Sequence, residues 1–238
     1  MTPEFFPENI SVISTKRYLG EKPNAFLNGF DTFNVADHVP DDPEKVFKNR
    51  KKLVQYFNLP CEPRYLNQIH SNKCLRFDTP ECEGDALYTN KKNEVCAILT
   101  ADCLPVFISD TLGQEVAVIH AGWKGLLRGV IEKTLRSFDS RNLVAHFGPA
   151  ISQDSFEVGE EVRDQYIVKD KIFTSAFKTH FGKHYLDLYS AAKVVLNNFD
   201  IYKISGGKEC TFMQRDEYFS YRRDGKYSGR MANLIWIS

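Results

Sequence analysis

The stretch EVAVIHAGWKGLLRGVIEKTLRSF, residues 115–138, changes from a strand pattern to a helix pattern. Its apolar beginning predicts a strand over 115–120 that ends at His120. Gly122 and Gly125 let the chain turn, and an amphipathic helix is predicted over 125–138. The buried stripe of that helix comprises Leu126, Leu127, Val130, Ile131, Leu135 and Phe138. An imidazole at this junction is either a chemical group held at a strand end or a turn residue.

Similar apolar runs with few helices between them surround this junction. They predict strands over 10–15, 64–69, 73–77, 85–89, 94–100, 104–109, 142–148 and 232–237, and a strand-like run over 217–223. Helices are predicted over 41–57, capped by Asp42 with Pro43 at the first position, from about Glu160, and over 187–199. A block of strands with added helices predicts an α+β fold: one layered domain over residues 1–238, with mixed or antiparallel sheets and flanking helices.

Composition narrows the classes of partner. Basic and acidic residues number 31 each, so the net charge is zero and neither nucleic acid nor a membrane surface is indicated. No apolar window is long enough to span a bilayer, and the first residues do not resemble a signal peptide. The six cysteines are scattered, which predicts free thiols in a reducing cytoplasm. The oligomeric state is left open.

Three segments place a reactive side chain where an apolar run stops. They are NQIHS with His70, LTADCLP with Cys103 and IHAGWKG with His120. Taken singly, each residue is explained as well by a buried thiol or a hydrogen-bonded imidazole. Together they can supply three ligands to zinc or copper and leave a fourth position open, as in a catalytic site. Zinc there would acidify a bound water or polarise a substrate oxygen.

The same residues permit a metal-free chemistry. Cys103 can act as a nucleophile with His120 as its base, oriented by Asp102 or a backbone carbonyl. Spacing along the chain does not distinguish this arrangement from metal ligation. Asp85 and Asp102 can instead orient ligating imidazoles, although aspartate is also common in turns.

Basic residues form a second group of candidates. The segment FSYRRDGKYSGRMA carries several cations, and TKR at 15–17 carries two more. Guanidinium groups bind phosphate through paired hydrogen bonds, whereas a solvated hairpin tip has the same composition. The candidate phosphate-binding residues are Lys16, Arg17, Arg223 and Arg230.

Several of these segments, taken in order, resemble the YfiH/YlmD family, also called laccase-domain proteins or DUF152. The matching stretches are NQIHS, EGDALYT, LTADCLPVFISD, VAVIHAGWKGLLRGVIEKTL, FGPAISQDSFEVG, HYLDL and CTFMQRDEYFSYRRDGKYSGRMANLIWI. The resemblance implies a layered α+β fold similar to the cytotoxic necrotizing factor catalytic domain. It also implies a metal site formed by His70, Cys103 and His120.

The resemblance further implies a zinc-dependent purine nucleoside phosphorylase that acts on adenosine, inosine and methylthioadenosine, with some adenosine deamination. Nucleoside and phosphate would then be the partners of this chain. Family members have also been described as copper polyphenol oxidases and as peptidoglycan-editing factors. A Cys–His amidase or peptidase acting on a peptidoglycan precursor, and a weak copper-dependent phenol oxidase, are therefore the alternatives. Six histidines without a His-x-His pair argue against strong laccase chemistry.

The chain departs from the family pattern in its early segment and beside His70. The family segment TTRxGGVS reads STKRYLGEK here, so that Lys16 stands where an arginine is expected and the glycine pair is absent. Ser71 follows His70 where a glycine is usual. The resemblance therefore implies nothing about how this early loop would contact a substrate.

Overall fold

A computed structural model describes residues 2–22, 29–30 and 32–238 of the chain. Its strands are β1 Ile10–Ser14, β2 Cys74–Arg76, β3 Ala86–Thr89, β4 Cys96–Thr100, β5 Leu104–Asp110, β6 Val116–Ala121, β7 Leu143–Phe147, β8 Glu157–Val158, β9 Phe177–His180, β10 Lys183–Leu186, β11 Ile204–Gly206 and β12 Met231–Ile237. Its α-helices are α1 Pro43–Tyr56, α2 Trp123–Arg128, α3 Val130–Leu135, α4 Glu160–Lys169, α5 Leu188–Asn197 and α6 Tyr221–Asp224.

The strands form three sheets. The largest has the order β11-β7-β5-β6-β3-β2 and is mixed, because its two edge pairs are parallel and its inner pairs antiparallel. The second has the order β1-β12-β4 and is antiparallel. The third, β8-β10-β9, is a small antiparallel sheet beside α4.

Alternation along the strands sorts the apolar side chains into layers. Val106 and Ile108 of β5 join the core beneath α2, α3 and α5, whereas Phe107 between them faces the other way. Phe107 belongs to a second core, shared with Ile98 of β4 and Ile235 of β12. The far face of the three-stranded sheet packs against α1 in a third core. The order of layers is therefore helices, six-stranded sheet, three-stranded sheet, helix.

This architecture confirms the predicted α+β class with mixed sheets and flanking helices. The predicted strands at 10–15, 73–77, 85–89, 94–100, 104–109, 115–120, 142–148 and 232–237 are present within one or two residues at each end. Helix α1 begins as predicted, because the Asp42 carboxylate accepts from the backbone N–H of Glu44 and Pro43 takes the first position. All six cysteines are free thiols.

Three predicted elements differ from the structure. The run 64–69 forms only isolated bridges, through Arg64 and Asn67, instead of a strand. The run 217–223 ends in the short helix α6 instead of a strand. The helix predicted over 125–138 is two helices, because Gly129 adopts φ 85° and ends α2 before α3 begins. The predicted stripe still packs, since Leu126, Val130, Ile131, Leu135 and Phe138 are all buried.

Within the described ranges, no helix combines the length and the apolar character needed to cross a membrane.

Candidate metal centre

His70, Cys103 and His120 come together in space although they lie far apart in the chain. One ligand atom from each residue can be chosen so that all three atoms lie within 4.8 Å of one another. The Sγ of Cys103 is 3.9 Å from Nε2 of His70, and the two imidazole rings meet edge to face with centroids 4.7 Å apart. The structure therefore brings together the three residues that the sequence singled out.

Strand β6 fixes the position of His120. Its neighbours Ile119 and Ala121 face the helical layer, so His120 shares the opposite face with Val118. His120 lies opposite Pro105 of β5 and is almost fully buried. The imidazole thus sits at the end of an apolar row between the two larger sheets, where water has little access.

Cys103 lies where the chain passes from one sheet to the other. Strand β4 ends at Thr100 in the three-stranded sheet, and β5 begins at Leu104 in the six-stranded sheet. Asp102 takes φ 86°, which is rare for a residue with a side chain, to make this passage. The thiol therefore lies where the chain passes between the two sheets.

His70 lies on a short loop fastened by the buried carboxylate of Asp85. Asp85 accepts from the backbone N–H groups of Ile69 at 3.3 Å, His70 at 3.0 Å and Ser71 at 2.6 Å, and from the Ser71 hydroxyl at 2.7 Å. These bonds hold His70 at φ 56°. The same carboxylate lies 2.8 Å from Nδ1 of His120. With Nδ1 bonded to Asp85, Nε2 of His120 is the nitrogen available to the thiol or a metal.

The charges at the centre favour a thiolate. Burial opposes ionisation of Cys103, but a protonated His120 and hydrogen bonds from His120 and His70 lower the pKa of the thiol to about 6. Burial likewise opposes protonation of His120, whereas the Cys103 thiolate and Asp85 raise its pKa to about 9. Without a metal the two groups form an ion pair. A divalent cation would replace the imidazolium proton and keep the thiolate.

The space at the centre fits a small cation. Ligand atoms around tetrahedral zinc lie about 3.5 Å apart, the three candidate atoms lie within 4.8 Å of one another, and a thiolate with two imidazoles suits zinc or copper. Gly122 leaves this space open: a Cβ there would lie 2.8 Å from Sγ of Cys103 and 3.2 Å from Cδ2 of His70. The donor set and the space therefore fit one transition-metal ion.

A cavity of about 520 Å³ contains the three residues in its lining. Part of the lining belongs to the core beneath the helices, namely Trp123, Ile151, Phe156 and Leu188. Tyr221, Arg222, Arg230 and His38 add polar and charged groups. The lining thus combines aromatic and apolar side chains with arginine side chains and a candidate metal centre. Such a mixture is typical of sites that bind small molecules.

Of the basic candidates, only Arg230 lines this cavity. Lys16 pairs with Glu217 at 2.6 Å, and Arg17 is buried, where it donates to the carbonyl of Arg215. Arg223 donates to the carbonyls of residues 211, 212 and 218 and pairs with Asp224 at 2.8 Å. Lys16 and Arg223 thus bind groups of the chain itself, whereas Nε and Nη2 of the buried Arg17 have no hydrogen-bond partner among the described residues, and none of the three lines the cavity.

Asp102 also differs from its predicted role. One of its oxygens accepts from the Thr211 hydroxyl at 2.6 Å and the other from the Arg222 backbone N–H at 2.6 Å. It anchors the C-terminal segment, while Asp85 alone of these two aspartates contacts an imidazole. The sequence also gave no reason to select His38, whose side chain lines the same cavity. Burial and the nearby Arg230 charge lower the pKa of that imidazole.

Comparisons with known proteins agree on one family. The family model described as multi-copper polyphenol oxidoreductase laccase matches residues 12–238. A Haemophilus influenzae purine nucleoside phosphorylase is 42% identical over 238 residues, covering 97% of this chain and 96% of the relative. The Escherichia coli purine nucleoside phosphorylase YfiH is 39% identical over 236 residues, covering 97% and 95%.

Solved structures give the same result. A Neisseria meningitidis DUF152 protein superposes with a TM-score of 0.91 at 37% identity, covering all of this chain and 98% of its own. A Bacillus licheniformis protein named YfiH gives a TM-score of 0.82 at 27% identity, covering 96% and 93%. The fold and site thus define a layered α+β protein with a His–Cys–His centre. The chain belongs to the YfiH/YlmD family of laccase-domain, DUF152 proteins.

Proposed function

We propose that this chain is a zinc-dependent purine nucleoside phosphorylase with its metal on His70, Cys103 and His120. The observation that carries the proposal is the convergence of these three side chains in the lining of one cavity. Relatives named purine nucleoside phosphorylase, matched along nearly the whole chain, support the reaction class. Its partners would be a nucleoside and inorganic phosphate. Six free thiols fit the reducing cytoplasm as the compartment for this reaction.

The proposed reaction exchanges one bond for another. A phosphate oxygen bonds to C1′ of the sugar as the bond from C1′ to the purine nitrogen breaks, and the purine leaves with a proton. The products are a free purine and a sugar 1-phosphate. A bound zinc would act as a Lewis acid toward an oxygen of the reactants.

The lining residues have distinct tasks in this proposal. Trp123, Phe156 and Tyr221 offer aromatic surface to a purine and exclude water from it. Arg230 is the phosphate-binding candidate, because its Nη1 is fixed by the carbonyls of Ser228 and Gly229. Among the described residues, no hydrogen bond joins its Nε or Nη2 to a partner, so both remain available to an anion.

Adenosine, inosine and methylthioadenosine are the substrates we propose. Adenosine deamination would use the same centre: water would add to C6 of adenine, and ammonia would leave as the bond from C6 to the amino nitrogen breaks. Copper in place of zinc would give at most weak phenol oxidation. Within the described ranges, His70, Cys103 and His120 are the sole group able to hold a metal, whereas a multicopper oxidase needs several copper sites.

Product analysis tests the proposal. Purified, zinc-loaded protein is incubated with inosine or adenosine, with and without phosphate, and the products are separated by chromatography. We expect hypoxanthine or adenine and ribose 1-phosphate only when phosphate is present, and loss of both in Cys103→Ala. Failure to release any base, or equal release by the Cys103→Ala protein, would contradict the proposal.

One observation favours a second candidate, a Cys–His amidase or peptidase. Cys103, His120 and Asp85 are arranged as thiol, imidazole and carboxylate, and the pKa of Cys103 is lowered to about 6. Such an enzyme would retain activity toward a peptidoglycan peptide after chelation and lose it after thiol alkylation. Activity that disappears on chelation and returns with zinc excludes this candidate.

A further inference from the structure

The outer side of the His70 loop, residues 69–72, is held by a residue to which no role has been assigned. Nη1 of Arg128 donates to the carbonyl oxygen of His70 at 2.8 Å. In return, the side-chain amide of Asn72 donates to the carbonyl oxygen of Arg128 at 2.9 Å. Two reciprocal bonds therefore join this loop to the end of α2.

Helix α2 is also the element nearest to His120 along the chain. Gly122 follows β6 directly and is the N-cap of α2, which begins at Trp123 and ends at Arg128. The helix packs closely on the loop, since a Cβ at Gly125 would lie 3.4 Å from the carbonyl oxygen of Ser71 and 3.3 Å from that of His120. The Arg128 bonds thus connect the segment that carries one imidazole to the segment that carries the other.

Ser71 adds a bond on the inner side of the same loop. Its hydroxyl donates to Asp85 at 2.7 Å, in addition to the bond from its backbone N–H. The hydroxyl oxygen also accepts from the backbone N–H of Lys73 at 3.1 Å. A glycine at this position would retain the backbone bond and lose the other two.

We propose that Arg128 and Ser71 are positioning residues that hold the His70 loop in its metal-binding geometry, from the outer and the inner side. This inference rests on the metal centre of the proposed function. The loop holds His70 at φ 56°, a conformation that is costly for a residue with a side chain and must be maintained by its surroundings. Loss of either contact frees the imidazole to leave the position that it needs for ligation.

Arg128 is suited to a test because it is exposed. Replacing an exposed side chain changes the free energy of unfolding little, so an effect on metal binding can be separated from an effect on folding. Arg136 is the matched control, because it is exposed and directly follows α3. Its replacement by methionine removes the same positive charge.

The experiment measures zinc affinity by competition with a chromophoric chelator, using the full chain and the variants Arg128→Met, Arg128→Lys, Ser71→Ala and Arg136→Met. We expect Arg128→Met and Ser71→Ala each to weaken zinc binding by about 10-fold, the lower end of the effects seen when groups that orient ligands are removed. Arg128→Lys should recover most of the affinity because its ammonium can donate to the same carbonyl. Arg136→Met should equal the wild type.

Hydrogen exchange of the metal-free proteins provides the second measurement. The backbone amides of residues 69–72 should exchange faster in Arg128→Met, while those of β5 and β6 remain unchanged. Unchanged zinc affinity in both variants, or an equal loss in Arg136→Met, would overturn the inference. Neither measurement uses a substrate, so a protein that binds zinc but releases no base would contradict the proposed function without deciding the role of Arg128.

Discussion

The carboxylate of Asp85 lies 2.8 Å from Nδ1 of His120 and simultaneously accepts the backbone N–H of His70 at 3.0 Å. One buried group therefore orients one imidazole directly and the other through its backbone. Because the two histidines come from separate segments, this shared partner sets their relative placement.

Substituting Asp85 with asparagine should weaken the metal centre. The amide keeps the size of the side chain but loses the charge that favours His120 as a ligand, and its NH₂ group would face N–H donors. We expect a loss of zinc affinity of about 10-fold to 100-fold, measured by chelator competition. Asp78→Asn, which removes an exposed carboxylate paired with Lys91, is the control and should bind zinc like the wild type.

Asp85 should also make the free energy of unfolding depend on pH in the acid range. Burial opposes its ionisation, but His120 and Ser71 hold its pKa at about 2, below the ordinary value of 3.8. A depressed pKa contributes stability above the unfolded value, and this contribution is lost as the pH falls from about 4 to about 2. We expect roughly 2 kcal/mol from this residue at neutral pH, seen as a flatter pH dependence of urea unfolding in Asp85→Asn. Identical pH profiles for the two proteins would contradict this.

Cys103 should ionise well below an ordinary thiol in the metal-free protein. Its pKa of about 6 predicts that alkylation by iodoacetamide rises with pH around that value. Mass spectrometry of the peptide containing Cys103 separates it from Cys210, whose pKa is also lowered, despite burial, by hydrogen bonds from Ser152. In His120→Asn the imidazolium is absent, so the midpoint for Cys103 should move upward. A midpoint near 9 in the wild type would refute the ion pair.

Gly122→Ala should close the metal site without unfolding the protein. The added methyl group would lie 2.8 Å from Sγ of Cys103 and 3.2 Å from Cδ2 of His70, so that the Cys103 side chain would have to shift from its present position. We expect zinc affinity to fall by at least about 100-fold, the upper range for changes around a metal site. Lys124→Ala, on the exposed side of α2, is the control. Retained zinc binding in Gly122→Ala would show that the metal lies elsewhere.

Local patterns were enough to predict most of the strands and to single out the three candidate ligands. The strands β5 and β6 are apolar over residues 104–108 and 116–119, and each candidate ligand lies beside the end of such an apolar run. The break at Gly129 was not predicted, because an isolated glycine within a helical pattern is compatible with a continuous helix.

Contacts between distant segments determine which basic residue lines the cavity and which aspartate contacts His120, two points that the sequence left open. Arg223 and Arg230 have the same local composition around them, yet Arg223 binds backbone carbonyls and Arg230 lines the cavity. Asp85 and Asp102 were equivalent as candidates, and only the folded chain places Asp85 against His120. The run 64–69 does not form a strand because its two bridges, Arg64 to Cys96 and Asn67 to Glu83, join it to two different segments.

Zinc K-edge X-ray absorption of the stoichiometrically loaded protein tests whether one metal ion is bound by His70, Cys103 and His120. We expect one sulfur at about 2.3 Å and two imidazole nitrogens at about 2.0 Å, with a light atom as the fourth ligand. In Cys103→Ala the sulfur contribution should disappear. A wild-type spectrum without sulfur, or with two or more sulfur ligands, would contradict this set of ligands.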